Sequence, residues 1–219
     1  QREEKISYQA QHDILTGLNN RYNMEVQLNA KFEQNKSFQV LGINVFGFRG
    51  INDVFGYHNG DICLQILAKR LAEYGGLGAR LAGGELLWIP DTLITHEQVI
   101  AFKNTLEEPI ETGDASITTR VSVGMLNCPV DAQNAEELFR RMNIVLDETQ
   151  KTEQLMLSYE PEYEHRYLRR LSIIAELKTA LNDQQEELSL FYQPKLDLSS
   201  GTVTKVEALI RWNNALLGF

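Results

Sequence analysis

Cysteine is nearly absent. Cys63 and Cys128 are the only two in 219 residues, which excludes a disulfide framework. Both stand in apolar surroundings and read as small core residues in a reducing compartment. Long apolar runs are missing as well. The longest stretch without a charge runs from Ser37 to Phe48, twelve residues, against the ~20 needed to span a bilayer. Basic residues are in the minority, 21 against 30 acidic, for a net charge of −9. That disfavours a global electrostatic grip on nucleic acid, and no nucleic acid partner is expected. His12, His58, His96 and His165 have no metal-ligand spacing to each other. They read as surface or turn residues. No internal repeat or low-complexity segment stands out.

What is present suits a folded chain. Apolar residues make up 43%, enough to exclude disorder. The length is about one and a half times a typical domain of ~150 residues, so one domain plus a piece is expected. The chain opens on Gln1 with no Met and no secretory signal, and is expected to be a fragment of a longer protein.

Residues 1–12 are polar and fit the end of an upstream helix. Asp13 to Asn20 reads as a turn, followed by a helix over Arg21–Gln34 and a buried strand over Phe38–Phe46. Asn52–Asp61 reads as a loop with Gly56 and Gly60, and Asp61 as the N-cap of the next helix. Gly83-Gly84 between two short apolar runs predicts a tight β-hairpin. A helix is expected over His96–Glu107. Alternation from Ser116 to Leu126 predicts one half-buried strand, and Ala135 to Leu146 an amphipathic helix. Glu162–Asn182 is a long amphipathic helix with Tyr167, Leu171, Ile174, Leu177 and Leu181 on one stripe. Leu188–Leu198 and Thr202–Trp212 read as two strands joined by a turn at Ser199-Ser-Gly201. Strands interleaved with helices suit an α+β architecture.

The segments Asp13–Arg21, Phe48–Asp61, Ser122–Gly124 and Pro129–Asp131, in that order, resemble motifs of the GGDEF family, the diguanylate cyclases that join two GTP molecules into cyclic di-GMP. Asp13-Ile-Leu-Thr-Gly-Leu-Asn-Asn-Arg21 matches D-x-L-T-G-L-x-N-R. Phe48-Arg-Gly-Ile-Asn-Asp-Val-Phe-Gly-Tyr-His-Asn-Gly-Asp61 matches F-K-x-x-N-D-x-x-G-H-x-x-G-D, with Tyr57 for the usual His. Ser122-Val-Gly124 and Pro129-Val-Asp131 match S-x-G and P-x-D. The resemblance implies a ferredoxin-like, nucleotidyl-cyclase-like palm with helices on a mainly antiparallel sheet. It places the active site between the first strand and the hairpin, where carboxylates hold the metal ions that phosphoryl transfer needs.

The carboxylates are what the chain lacks. Asn44-Val-Phe46 stands where the family has D-x-D. Ala82-Gly-Gly-Glu-Leu86 stands for the family's G-G-D/E-E-F, so Gly84 falls on the catalytic acid. Sliding the motif by one residue would put Glu85 there instead, with an extra residue after Arg80. Gln150 and Gln154 replace the phosphate-binding Lys and Arg, and Lys151 is one position off. The inhibitory product site R-x-x-D falls on Glu73 and Gly76. Asn52 and Asp61, aligned with guanine contacts, remain; each also reads as a turn or cap residue.

In the tail, Phe191–Asp197 and Val206–Trp212 resemble the opening of an EAL domain, the cyclic di-GMP phosphodiesterase family. Phe191-Tyr-Gln-Pro-Lys-Leu-Asp197 matches Y-Q-P-x-x-D and Val206-Glu-Ala-Leu-Ile-Arg-Trp212 matches x-E-A-L-x-R-W. Asn213-Asn-Ala-Leu216 departs from the family's H-P continuation. The resemblance implies Glu207 as a metal ligand, with Gln193 and Arg211 contacting the dinucleotide. The expected organisation is an upstream helix over 1–12, a degenerate GGDEF domain over 13–160, a linker helix over 161–185 and an EAL fragment over 186–219.

Function is then expected to be that of a catalytically inactive, regulatory GGDEF domain in a bacterial tandem GGDEF–EAL protein that hydrolyses cyclic di-GMP. No cofactor is expected in the fragment, and Mg²⁺ or Mn²⁺ in a complete EAL domain. Partners are cyclic di-GMP through that domain, weakly bound GTP, and a second copy in a homodimer. A cytoplasmic location is expected, compatible with an inner-membrane anchor in the parent. Two alternatives stand beside this: a non-catalytic adaptor or cyclic di-GMP receptor, and an active cyclase using Glu85 and Asn44 with an unusual metal.

Overall fold

The computed structural model describes residues 8–152, 154–182 and 187–217. After a helical turn at residues 8–11, the elements are α1 (Arg21–Glu33), β1 (Phe38–Val45), α2 (Phe48–Glu73), β2 (Leu77–Ala82), β3 (Glu85–Ile89) and α3 (His96–Leu106). Then follow β4 (Ile110–Glu111), β5 (Ser116–Ile117), β6 (Val121–Cys128), α4 (Ala135–Thr152), β7 (Met156–Ser158), α5 (Pro161–Asn182), β8 (Leu188–Asp197) and β9 (Thr202–Trp212). Residues 1–7 of the upstream helix expected over 1–12 lie outside the described residues.

Five strands form one sheet in the order β2-β3-β1-β6-β7. Every pair is antiparallel except β6–β7. Alternation along β1 sends its side chains to opposite faces. Val40 joins Met24 and Leu28 of α1 and Leu138, Met142 and Val145 of α4. Leu41, Ile43 and Val45 join Cys63, Leu67 and Leu71 of α2 and Phe102 of α3. The sheet is thus sandwiched between two helical layers, the α+β cyclase-like fold expected above.

Local chemistry sets the element ends. The Asn20 side chain accepts from Asn23 N at 2.9 Å and caps α1, an arrangement worth about 1 kcal/mol. Thr95 and Gln98 form a capping box on α3. Its far end is held by Arg70, whose guanidinium donates to the carbonyls of Leu106, Glu108 and Pro109. Gly42 and Gly124 are register partners on β1 and β6. A Cβ on Gly42 would stand 2.4 Å from Met142 Sδ, so these glycines let α4 press onto the sheet.

Both cysteines are buried and unbridged. Burial pushes the Cys128 thiol up to about 12, with Asp131 and Glu137 adding to it. Burial also raises Cys63, against an opposing pull from Arg70. Neither thiol has thiolate character.

Two expectations are corrected. Asn52–Asp61 is not a loop. It lies inside α2, which is kinked where Gly56 takes φ 82 and ψ 158. Gly56 separates two helical segments, residues 48–55 and 57–73, and Asp61 lies inside the second, so it is no N-cap. The strand expected over Ser116–Leu126 is two: β5 pairs only with β4, and β6 starts at Val121. Between them the Thr119 hydroxyl donates to Leu106 O, and Phe46 N to Arg120 O. Nor is β6 half-buried, because helices cover both faces of the sheet.

The chain divides into two compact units, residues 1–163 and 164–219. The second carries most of α5 and the β8–β9 hairpin. On α5, Tyr167, Leu171, Ile174 and Leu181 of the expected stripe are exposed. Register pairs on the hairpin include Leu190 with Ile210, Gln193 with Glu207, and Pro194 with Val206. Alternation therefore gives it one apolar face, with Leu190, Tyr192, Val206 and Ile210 each more than half exposed. The opposite face is mixed, with Phe191 paired to Leu209 between the polar pairs Ser189–Arg211 and Gln193–Glu207.

Candidate functional site

Three strands bring one polar row together. Asn44 on β1 is the register partner of Glu85 on β3 and of Ser122 on β6. Opposed side chains in antiparallel strands share a face, with Cβ atoms about 4.5–5.5 Å apart. This face is the one α4 covers, since Gly42 and Gly124, two residues away, meet Met142 and Val145. The row offers an amide, a carboxylate and a hydroxyl. Ser122 is 1% exposed and its Oγ has no hydrogen-bond partner among the described residues. Sequence reasoning gave Ser122 no role. Its signal is the pairing with Asn44, which only the strand register reveals.

Gly84 sits in the turn between β2 and β3, buried, and its carbonyl accepts from Val45 N at 3.0 Å. A Cβ there would stand 3.0 Å from Phe48 Cβ, 3.1 Å from Phe48 Cγ and 3.1 Å from Val45 Cβ. Position 84 thus has no side chain and is crowded by its neighbours. A bulge between Arg80 and Ala82 makes Leu81 the extra residue of β2. In either motif register, Glu85 is the carboxylate that faces Asn44.

An ion pair anchors the turn. Arg80 Nε donates to Gly83 O at 3.0 Å, and Arg80 NH1 lies 3.3 Å from both Asp13 oxygens. Asp13 Oδ1 also accepts from Thr16 N at 2.9 Å and Thr16 Oγ1 at 2.7 Å. Burial alone would push the Asp13 carboxyl up. The Thr16 hydrogen bonds and the Arg80 charge outweigh it and hold the group below the usual range.

The other candidates are placed as follows. Asn52 and Asp61 lie on either side of the α2 kink, Asn52 half-buried and Asp61 exposed. Asn52 Oδ1 rests on Gly60, 1.9 Å from where a Cβ would be. Gln150 is exposed near the end of α4; Gln154 lies beyond the helix. Lys151 is engaged by Asp147. Glu73 ends α2, and Gly76 is left-handed at φ 76 with its missing Cβ 2.2 Å from Ile89 O. An acid does not fit at Gly76. In the hairpin of the second unit, Glu207 opposes Gln193 and forms an ion pair with Lys195 at 2.9 Å. Arg211 shares their face by alternation and lies over the Phe191 ring, 5.5 Å from its centroid. Asp197 accepts from Ser199 and Ser200 and shapes the turn.

These donor sets are poor for a divalent metal. Mg²⁺ takes several oxygen ligands, carboxylates foremost. The row supplies one carboxylate, and the hairpin's Glu207 is already paired. Among the described residues no group of three His, Cys, Asp or Glu side chains can hold a metal ion. No described helix is long and apolar enough to cross a membrane.

Comparison with known proteins agrees with this layout. Cyclic di-GMP phosphodiesterase NbdA of Pseudomonas aeruginosa is 30% identical over 232 residues, 95% of this chain and 28% of that protein. The bifunctional diguanylate cyclase/cyclic di-GMP phosphodiesterase MucR of the same organism is 26% identical, over 94% of this chain and 31% of its own length. The chain spans about a third or less of the length of these relatives. Among solved structures, the GGDEF domain of Pseudomonas aeruginosa TpbB (YfiN) superposes with TM-score 0.64 at 23% identity, covering 72% of this chain and 99% of that one. A sensory box/GGDEF family protein from Caulobacter crescentus gives TM-score 0.59 at 26% identity, covering 65% of this chain and 99% of that one. The family model described as the diguanylate cyclase GGDEF domain matches residues 10–155. With the sandwich, the hairpin and the motifs that build them, that match shows that the chain belongs to the GGDEF family.

Proposed function

We propose that the first unit is a non-catalytic, regulatory GGDEF domain of a cyclic di-GMP signalling protein. The observation that carries this is Gly84. In the motif register anchored by Arg80 it stands where the catalytic acid is expected, packed against Phe48 and Val45, and its neighbour Glu85 faces the neutral Asn44 on the first strand. One carboxylate, Glu85, cannot balance the charge of a divalent ion. Asn52 and Asp61 retain hydrogen-bonding groups for a guanine base, and Gln150 and Gln154 offer the phosphates no charge. This supports weak, base-dominated GTP binding without turnover.

The second unit is read as the opening of an EAL domain in a tandem protein. Gln193, Glu207 and Arg211, on one face of the hairpin by its register, support that reading. In a complete EAL domain Glu207 would be one ligand of Mg²⁺ or Mn²⁺, and its site would take cyclic di-GMP. The names of NbdA and MucR, both longer proteins, point the same way. A cytoplasmic location and a homodimer belong to the same proposal.

The test is incubation of the 219-residue chain with GTP and Mg²⁺ or Mn²⁺, with chromatographic detection of product. No cyclic di-GMP above a no-enzyme control is expected. Product above that control refutes the non-catalytic reading and restores the cyclase alternative.

A further inference from the structure

Phe48 is the first residue of α2, and its side chain lies between two glycines. A Cβ on Gly84 would stand 3.0 Å from Phe48 Cβ and 3.1 Å from Cγ, and one on Gly60 would stand 3.5 Å from Phe48 Cζ. The same Gly60 Cβ would meet Asn52 Oδ1 at 1.9 Å. Asn52 is four residues after Phe48, hence its neighbour on the helix surface. Hairpin turn, Phe48 ring, Asn52 and Gly60 form one continuous stack.

The geometry points to Phe48 as a positioning residue that ties the hairpin turn to the Asn52 amide. Its functional meaning rests on the reading of Asn52 as a guanine contact. The close contacts at Gly84 are to the root of the side chain. Rotation about χ2 moves neither Cβ nor Cγ, so ring flips bring no relief. A side chain at position 84 is accommodated by moving the start of α2. That start follows Gly47, which is left-handed at φ 64, and Asn52 lies one turn farther on the same face. A displacement at the hairpin therefore arrives at Asn52 through ring and helix together. By reciprocity, a ligand that holds Asn52 holds Phe48 against Gly84.

Gly84 is not left-handed, so Gly84→Ala adds the push without backbone strain. The experiment is ¹H–¹⁵N NMR of the 219-residue chain without nucleotide. The Asn52 side-chain amide is assigned by its loss in Asn52→Ala. Gly84→Ala should move that amide about threefold farther than the amide of Asn143, exposed on α4. In a Phe48→Gly background, which removes both the Cβ and the Cγ that position 84 meets, the same substitution should move it less than about half as far, as coupled sites do. Phe48→Ala alone withdraws the ring from Gly60 and should shift the Asn52 signal too, which serves if Gly84→Ala folds poorly. An Asn52 amide unmoved by either single substitution, or moved equally with Phe48 absent, overturns the proposal. Guanosine titration of the unsubstituted chain tests the base reading separately. Absence of saturable shifts at Asn52 sinks that reading and leaves the Phe48 linkage to the alanine series.

Discussion

Asp13→Ala should lower the melting temperature of the first unit by roughly 3–8 °C. The Asp13 carboxylate accepts two hydrogen bonds from Thr16 and faces Arg80 NH1 with both oxygens, and Arg80 in turn donates to Gly83 O. Hydrogen bonds to a charged group are worth about 1.5–3 kcal/mol each when a partner is lost. The Asp13 side chain keeps 23% of its surface in water and Arg80 keeps 17%, so the lower end applies, about 1.5–2 kcal/mol for the network. At about 2–4 °C per kcal/mol for a domain of this size, the stated shift follows. Arg80→Ala should cost a similar amount. The double variant should fall short of the sum by about 0.5–1 kcal/mol, because each change removes the same contact. The pH dependence fixes the sign. The folded carboxyl lies below its usual range. Its contribution is therefore complete above the unfolded value of about 3.9 and is lost as pH falls through the folded one. Scanning calorimetry of wild type and Asp13→Asn should show a constant gap from about pH 7 to 5 that narrows below about pH 4. Additive losses, or a gap that widens on acidification, would refute the reasoning.

Other outcomes follow from other parts of the molecule. Gly42→Ala puts a methyl against Met142 Sδ at 2.4 Å and should destabilise by about 1–3 kcal/mol, read by urea denaturation; an unchanged midpoint would contradict the close approach of α4. Calorimetric titration should show GTP binding little tighter than guanosine. A much tighter, Mg²⁺-dependent GTP complex would show that the triphosphate is gripped after all. In a full-length tandem protein, Glu207→Ala should abolish hydrolysis of cyclic di-GMP, and deleting residues 1–156 should change its rate. Hydrolysis that survives Glu207→Ala removes the metal role; a rate untouched by the deletion removes the regulatory one.

Periodicity made most elements legible. The α1, β1, α3, α5, β8 and β9 boundaries fall within one residue of their expectations, because each carries an apolar pattern ended by a polar turn. The Asn52–Asp61 segment did not read as helix. Gly56 and Gly60 are turn signals, yet only Gly56 leaves helical geometry, and Gly60 serves as flat ground for Asn52. The break at Thr118–Arg120 was hidden because Ile117, Thr119, Val121 and Val123 keep an alternating pattern across it. Of the site, the motifs exposed Asn44, Gly84 and Glu85. Ser122 and Phe48 matched motifs too, but what they do depends on strand register and on a contact with a hairpin 36 residues further along the chain. No local pattern encodes that.

The tight turn at Gly76 bears on evolutionary history. Its left-handed backbone leaves a would-be Cβ 2.2 Å from the Ile89 carbonyl, and Gly75 O is already taken by Trp88 Nε1 at 2.7 Å. A lineage in which an acid returned to position 76 would first have to redraw that loop and release Trp88 from its partner. Every single-step reversion passes through a less stable protein. A glycine at this turn is therefore a ratchet: easy to enter by shortening a side chain, hard to leave once the main chain has closed over it.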